Sequence, residues 1–379
     1  MRIAFITYDF GEYSIQHANG LLDSGEVLLV MPKELHQPHQ ELLSEQVELK
    51  TFSKPRLRQP IRQVRNLRWI LNQIKTFQPD VIHFQLGHLW FNFALPFLRR
   101  HYPIVFTIHD PRQHMGDRGA KNTPQWVMDF GYRRADKVVV HGSQLRQVLI
   151  DELNISKDDI HVIPHIAIGE RDLVPDKSEA IELLFFGRIW PYKGLDYLIR
   201  AEPLITRKFP NAKIVICGQG EDFDRYRGMM TNPDQFIVHN RWISDEERRN
   251  FFQRASIVVL PYVEATQSGV VPVAYAHSKP VIATRTGGLP DVVDHGKTGL
   301  LVEPKDEVGL AEAIIALLED AELRKSMGDA GNQKLQNELS PSVVCKQTAD
   351  VYRSAIRKWK SINRGGAPEP ESAGSPINP

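Results

Sequence analysis

SIVVLPYVEATQSGVVPVAYAHSKPVIATRTGG, residues 256–288, changes its hydrophobic period several times in one short span. A β-branched run, SIVVLPY, ends in a polar patch, Thr266-Gln267-Ser268-Gly269. An apolar stretch holding Pro272 follows, then a second β-branched run, PVIATR, and then Gly287-Gly288. Strand, loop, helix and strand in that order form a unit whose strands lie parallel, because the helix returns the chain to the same end of the sheet. The polar patch therefore sits where a strand hands over to a helix. Unpaired N–H groups in a first helical turn, with about +0.5 charge of helix dipole, attract anions. Gly269 lets a ligand approach the backbone, and Pro272 suits an early helical position because it needs no donor. A plain N-cap by Thr266 or Ser268 explains the same residues without a ligand.

Outward from this span the alternation continues. On its N-terminal side stand IELLFFG (181–187), AKIVICG (212–218) and FIVHNRW (236–242), and on its C-terminal side GLLVEP (299–304), with helical stretches between them. An earlier set comprises RIAFITYDF (2–10), EVLLVMP (26–32), DVIHFQ (80–85), PIVFTIHD (103–110), KVVVHG (137–142) and HVIPH (161–165). Strands alternating with helices predict an α/β fold with parallel sheets covered on both faces. The expected organisation is one Rossmann-like domain over 1–167, a linker at 168–180 that loses periodicity, and a second Rossmann-like domain over 181–342. A last helix at 343–362 packs back toward the first domain, and a Pro/Gly/Ser-rich tail, 363–379, is expected to be disordered. The two domains face each other across a cleft, and such sheets bind ligands outside the carboxyl ends of their strands.

Composition narrows the function. At 379 residues the chain is about twice a usual domain, so two domains fit. Hydrophobic content of 42% and charged content of 25% suit a soluble protein with real cores. A net charge of +1 gives no field for nucleic acid, which is not expected as a partner. Cys217 and Cys345 are the only cysteines, too few for a disulfide framework or a structural zinc site, and a reducing, cytoplasmic setting fits. The opening MRIAFITYDF is too short for a secretory core and reads as a first strand. No run approaches the roughly 18 apolar residues of a spanning helix, so membrane contact is expected to be peripheral.

Several motifs carry chemistry. In FFGRIWPYKGLDYLIRA (185–201) a strand ends at Gly187, Arg188 follows, and Lys193 precedes a helix. An Arg fork and a Lys point charge converging on one anion suit a diphosphate, although two surface charges on a solvated loop would look the same. TIHDPRQHMGD (107–117) puts His109 and Asp110 at a strand's carboxyl end. A ligand-facing His109 is the reading adopted, with a histidine satisfied inside the core as the plain alternative. His114 and Asp117 make a metal site conceivable, but their spacing matches no zinc signature, so no metal is expected. HGS (141–143), PH (164–165) and CGQGED (217–222) are weak strand-end signals, and the last lacks a complete dinucleotide motif.

The order FGR…KGLDYLIRA, ICGQG and VVLPYVEATQSGVVPVAYAHSKPVIATRTGGLPDVVDHGKTGLLVEP resembles the retaining nucleotide-sugar glycosyltransferases of the family 4 type, which have the two-Rossmann GT-B architecture. The resemblance covers most of 181–305, and the first half is similar in outline. It implies that Arg188 and Lys193 bind the donor diphosphate without a metal or other cofactor. It implies that Thr266, Gln267, Ser268, Gly269 and Val270 form the turn whose amides hold sugar or phosphate. Glu264 resembles the first glutamate of a Glu-x7-Glu motif that contacts donor-sugar hydroxyls. His109 corresponds to a histidine beside the transferred sugar, and Gly11 to a glycine-rich loop near phosphate and acceptor. Two departures stand out. Eight residues after Glu264 comes Pro272, and counting back from KPVIAT puts the expected second glutamate at Val273 and the first at Ala265. The carboxylate that would hold the donor ribose is therefore missing.

The implied reaction moves a sugar from a nucleoside-diphosphate sugar to an acceptor hydroxyl of a glycan, glycolipid or small molecule, as in glycan biosynthesis, with retained configuration. Arg188 and Lys193 would stabilise the departing diphosphate. A nucleotide-sugar epimerase of the same architecture, or a non-catalytic sugar-nucleotide binder, are the alternatives. The acceptor is expected on the first domain. There, KPRLRQPIRQVRNLRWILNQIK (54–75) carries seven Lys or Arg and no acid. Leu57, Ile61, Val64, Leu67, Leu71 and Ile74 make one apolar stripe beside the arginines. The segment either covers the sheet with a solvated basic flank or meets an anionic acceptor or membrane, which would be the inner face.

Overall fold

Period-two alternation sorts strand side chains onto two faces, and in this protein both faces are buried. In β1 (Arg2–Thr7), Ala4 and Ile6 join one core while Ile3 and Phe5 join another. A computed structural model describes residues 1–85, 87–112, 123–168, 180–220 and 223–364. In it β1 is followed by β2 (Glu26–Pro32), β3 (Glu48–Phe52), β4 (Val81–Gln85), β5 (Ile104–Ile108), β6 (Lys137–Val140) and β7 (Ile160–Val162). These form one parallel sheet of seven strands in the order β3-β2-β1-β4-β5-β6-β7.

The second sheet has six parallel strands: β8 (Glu182–Phe186), β9 (Lys213–Cys217), β10 (Phe236–His239), β11 (Ile257–Leu260), β12 (Val281–Thr284) and β13 (Gly299–Val302). Their order is β10-β9-β8-β11-β12-β13. Leu183 and Phe185 pack with the helices Leu195–Lys208 and Glu307–Glu319 on one face. Leu184 packs with the helix Val270–Ala276 on the other. The strand order reverses between β1 and β4 in the first sheet and between β8 and β11 in the second. Ligands of doubly wound sheets bind at such switch points, outside the strands' carboxyl ends. Those ends carry Asp9 to Gly11, His109, Gly187-Arg188 and Pro261.

Some local expectations shift. The edge strand β3, ELKTF, has no apolar run to announce it, because Glu48 and Lys50 face solvent where an edge is kept from further pairing. β7 is shorter than HVIPH suggested and ends before Pro164, which has no N–H for a ladder. The stripe on the helix Pro60–Phe77 is only half buried. Ile70, Ile74 and Phe77 enter the core, with Leu67 and Leu71 partly covered, while Ile61 is 84% exposed and Val64 also stands in solvent. Most of the expected linker (169–179) and the tail beyond 364 lie outside the described residues.

The helix Pro341–Arg364 leaves the second domain and lies on the first. Val344, Cys345, Val351, Tyr352 and Ala355 join the core formed by Ile3, Phe5 and Val105. Close approach to the helix Gly11–Gly20 requires a glycine, since a Cβ on Gly20 would lie 2.7 Å from Cys345 Sγ. The Trp359 indole donates to the Arg99 carbonyl at 2.6 Å, and Tyr352 hydrogen-bonds the His83 ring. Truncating a fully buried aromatic costs about 3–5 kcal/mol, whereas exposed positions stay within about 0.5 kcal/mol. Tyr352→Ala is therefore expected to lower unfolding stability by about 3–5 kcal/mol in a urea titration. Ile362→Ala, on the exposed side of the same helix, should leave it nearly unchanged.

Candidate active site

Two loops of the second domain meet because Gly194 adopts a left-handed conformation, φ 64°. A Cβ at this position would lie 1.9 Å from the Pro261 carbonyl oxygen, so only glycine lets the loop after β8 touch the loop after β11. The contact is fixed by two amides, Val263 N at 2.8 Å and Glu264 N at 3.3 Å, both donating to the Tyr192 carbonyl. Lys193 then lies with its Nζ 3.7 Å from the centre of the Tyr262 ring, a cation–π contact. Arg188 donates through Nη2 to the Tyr192 hydroxyl at 3.3 Å. Burial, then the neighbouring Arg188 charge, push the Lys193 ammonium down to about 7, and Asp110 opposes that shift.

Around these cations lies a cavity of about 250 Å³. Its walls include Arg188, Lys193 and the whole Thr266–Val270 loop from the second domain, with Asp110 from the first. The loop is held from beneath. Tyr262 and Ser268 share a hydroxyl–hydroxyl bond of 3.2 Å, and the Thr266 carbonyl accepts from Gly288 N at 3.1 Å. Gly287, at φ 56°, sits against the Ala265 carbonyl. Gly287-Gly288 thus supports the loop from behind. The helix Val270–Ala276 has seven residues, and the Val270 N–H already donates to Ser268 Oγ at 3.3 Å. The cavity's positive charge accordingly comes from Arg188 and Lys193 more than from the helix end. Gln267 Oε1 is buried and has no hydrogen-bond partner among the described residues, an acceptor that a ligand hydroxyl would satisfy.

The first domain forms the floor. Thr266 hydrogen-bonds Asp110 across the cleft. His109 itself is buried and lies outside the cavity wall, stacked on Phe10 with ring centres 4.2 Å apart and hydrogen-bonded to Gln85. It belongs to a packed group with His141 and His165 at 4.7 and 5.8 Å and Tyr13 at 5.3 Å. Burial first, and mutual repulsion next, hold His109 well below the usual imidazole range, and His165 falls to about 3. Burial lowers His141 to about 4. The His141 and His165 Nδ1–H groups each donate to a backbone carbonyl at 2.8 Å, Ile163 and Ile166 respectively, so Nδ1 carries the proton in both rings. His109 is thus a buried ring next to Asp110, held well below the usual imidazole range and outside the cavity wall.

Of the other expected residues, Glu264 rides on the loop outside the cavity wall. Gly11 packs against the Leu35 carbonyl, also outside the wall. His114 and Asp117 lie outside the described residues. Asp110, Tyr192 and Arg248 also line the wall. Asp110 was visible as His109's neighbour; Arg248, within SDEERRNFFQR, carried no signal at all. The weak HGS motif has a structural role: Ser143 donates from N and Oγ to Asp291 at 2.6 and 2.9 Å, clasping the two domains.

Comparison with known proteins identifies the family and the fold. A model of group 1 glycosyl transferases matches residues 180–320, and one of glycosyltransferase family 4 matches residues 12–166. A D-inositol 3-phosphate glycosyltransferase of Corynebacterium glutamicum is 31% identical over 318 residues, 73% of this chain and 72% of that protein. The glycogen synthase of Mycobacterium tuberculosis is 26% identical over 75% of this chain and 70% of its own length. An uncharacterised glycosyltransferase of Methanocaldococcus jannaschii, 26% identical, is matched over only 54% of its length. Among solved structures, sucrose-phosphate synthase of Thermosynechococcus elongatus has a TM-score of 0.73 at 19% identity, covering 93% of this chain and 98% of that one. HepE of Anabaena in complex with UDP-glucose has a TM-score of 0.70 at 15% identity, over 93% and 100%. These likenesses share the GT-B fold. With both halves matched by family models and the two sheets meeting at a cation-lined cleft, the chain belongs to the group 1, family 4 type glycosyltransferases.

Proposed function

We propose that the protein transfers a hexosyl group from a nucleoside-diphosphate sugar to an acceptor hydroxyl, with retention and without a metal ion. The observation that carries this reading is the convergence of Arg188, Lys193 and the Thr266–Val270 loop on one cavity. The complexes of HepE with UDP and UDP-glucose support a nucleotide-sugar donor. In the reaction the glycosidic C–O bond breaks, and its electron pair leaves with the diphosphate. The acceptor oxygen bonds to the anomeric carbon on the same face, and its proton passes to the departing diphosphate. Charge builds on the leaving group, where Arg188 and Lys193 already stand, so they bind the transition state more tightly than the ground state. Gln267 Oε1 is an acceptor for a donor-sugar hydroxyl. His109, covered by Phe10, acts through the strand end that sets Asp110.

Removal of one such charge-stabilising donor costs on the order of 10²–10³ in rate. Arg188→Ala should lower kcat by that factor with an unchanged Tm, once thermal-shift screening of UDP-, GDP- and ADP-sugars has identified the donor. Near-normal turnover, or a product that is an epimerised sugar nucleotide formed without acceptor, would overturn the proposal.

Lys193 adds a pH dependence. Its free-state value of about 7 must rise when a diphosphate arrives, so binding above pH 7 takes up a proton. Affinity for the nucleoside diphosphate is therefore expected to fall by up to about tenfold per pH unit between pH 7.5 and 9. Below pH 7 the lysine is charged before binding and the dependence flattens. Lys193→Arg should remove the slope in isothermal titration calorimetry.

The acceptor side is read as a membrane-facing surface. Arg58, Arg62, Arg65 and Arg68 are exposed beside Ile61. On neighbouring helices of the same domain Phe97 and Trp126 stand in solvent at 58% and 61% exposure. Basic and aromatic side chains together fit an anionic lipid surface, and among the described residues no helix is long and apolar enough to cross a membrane. Sedimentation with vesicles containing anionic lipid should carry the protein down, and charge-neutral vesicles should not. Equal binding to both would remove the idea.

A further inference from the structure

A second cavity, also about 250 Å³, adjoins the first and shares Ile168, Arg248 and Val273 with it. Its remaining walls are strongly polar and include Glu12, His39, Asp245 and His277. At the boundary between the two cavities Val273 presents only methyl groups. The carboxylate most withdrawn from water here is Glu12, 8% exposed, which comes from the first domain. Arg248 of the second domain grips it in a two-pronged pair, Nη1 to Oε2 at 3.2 Å and Nη2 to Oε1 at 3.4 Å. Arg248 also reaches Asp245 at 3.1 Å, and Asp245 lies 3.5 Å from His39 Nδ1.

We propose that this second cavity receives the ribose of the donor, with Glu12 supplying the carboxylate that its hydroxyls donate to. The inference rests on reading the first cavity as the diphosphate site. A ligand anchored there by Arg188 and Lys193 has its nucleoside as the next group along, and the adjoining space past Val273 is the second cavity. Ribose is neutral and offers two adjacent O–H donors, for which a carboxylate is the matching side chain. Glu12 lines the cavity while held by Arg248, and a carboxylate with about four acceptor sites is not limited to a single donor. Carboxylates next to a diphosphate would repel it, and the Arg248 guanidinium cancels that repulsion while fixing the orientation of Glu12. The ligand atoms of Glu12, His39 and Asp245 all lie within 4.8 Å of one another, a spacing compatible with a cation. Arg248, in contact with both carboxylates, already fills that charge role, so a hydroxyl-bearing neutral group is the better occupant. Glu12 and Arg248 belong to opposite domains, so the ribose contact is complete only when the cleft is closed.

The test compares a nucleoside diphosphate with its 2′,3′-dideoxy analogue by calorimetry on the full chain, using the base selected by thermal shift. The unmodified protein should bind the ribo form roughly ten- to a hundredfold more tightly. Glu12→Ala, and separately Glu12→Gln to guard against misfolding, should weaken the ribo form to the level of the dideoxy form and leave the latter unchanged. A carboxylate returned from the other wall, Glu12→Ala with Val273→Glu, should restore the preference. Discrimination that survives Glu12→Ala in a protein of unchanged Tm would overturn the assignment while leaving the donor reading intact. Failure of the unmodified protein to bind any nucleoside diphosphate would overturn the donor reading and this inference together.

Discussion

The site depends on one backbone contact, Gly194 against the Pro261 carbonyl. The loops after β8 and β11 arise far apart in the chain, and only a residue without a Cβ, in a left-handed conformation, lets them touch. Once they do, the Tyr192 carbonyl ties down the start of the polar loop, and Lys193 is set on the Tyr262 ring beside Arg188. Burial of Lys193, and then the nearby charge of Arg188, disfavour a second positive charge here, and the lowered Lys193 value records this. A dianion bound there, as proposed, would reverse the sign of that energy. Under the proposed function, relief of this repulsion would be coupled to binding of the donor.

Beneath the cations the first domain supplies neutrality. Burial keeps His17, His109, His141 and His165 uncharged, and their rings pack with Tyr13 into a dense floor. Both ring nitrogens of His17 and Nδ1 of His109 lack hydrogen-bond partners among the described residues, so the group is under-satisfied for so buried a place. These packed rings add no positive charge beside Arg188 and Lys193. Asp110 is the exception, and it is tied to Thr266 of the opposite domain.

The two domains are joined by a few specific polar contacts and by one long helix. Asp291 caps Ser143, Arg248 pairs with Glu12, and the helix Pro341–Arg364 lies along the first domain. Inter-domain contacts of this size are compatible with relative motion, and family-type catalysis needs a cleft that admits and releases ligands. Glu12 and Asp110 on one side face Arg248 and Thr266 on the other, so these contacts exist only where the two domains meet.

Parallel sheets were legible in the chain because strands buried on both faces read as runs such as VVVH and IVVL, and helices between them keep a helical period. The edge strand β3 escaped, since half-exposed strands carry no such run. Arg188, Lys193 and Thr266–Val270 were legible as strand-end polar groups, and so was the absence of a carboxylate at Val273. Sequence could not say that His109 would lie under Phe10, or that HGS would meet Asp291. Nor could it single out Arg248 among the charges of SDEERRNFFQR, because nothing local distinguishes it. The sequence by itself determined the strands, the helices and the types of group at the strand ends, since these follow from periodicity and from backbone chemistry. Only the tertiary structure decided which of those groups converge, because convergence depends on a glycine-permitted loop contact and on the approach of two separate domains.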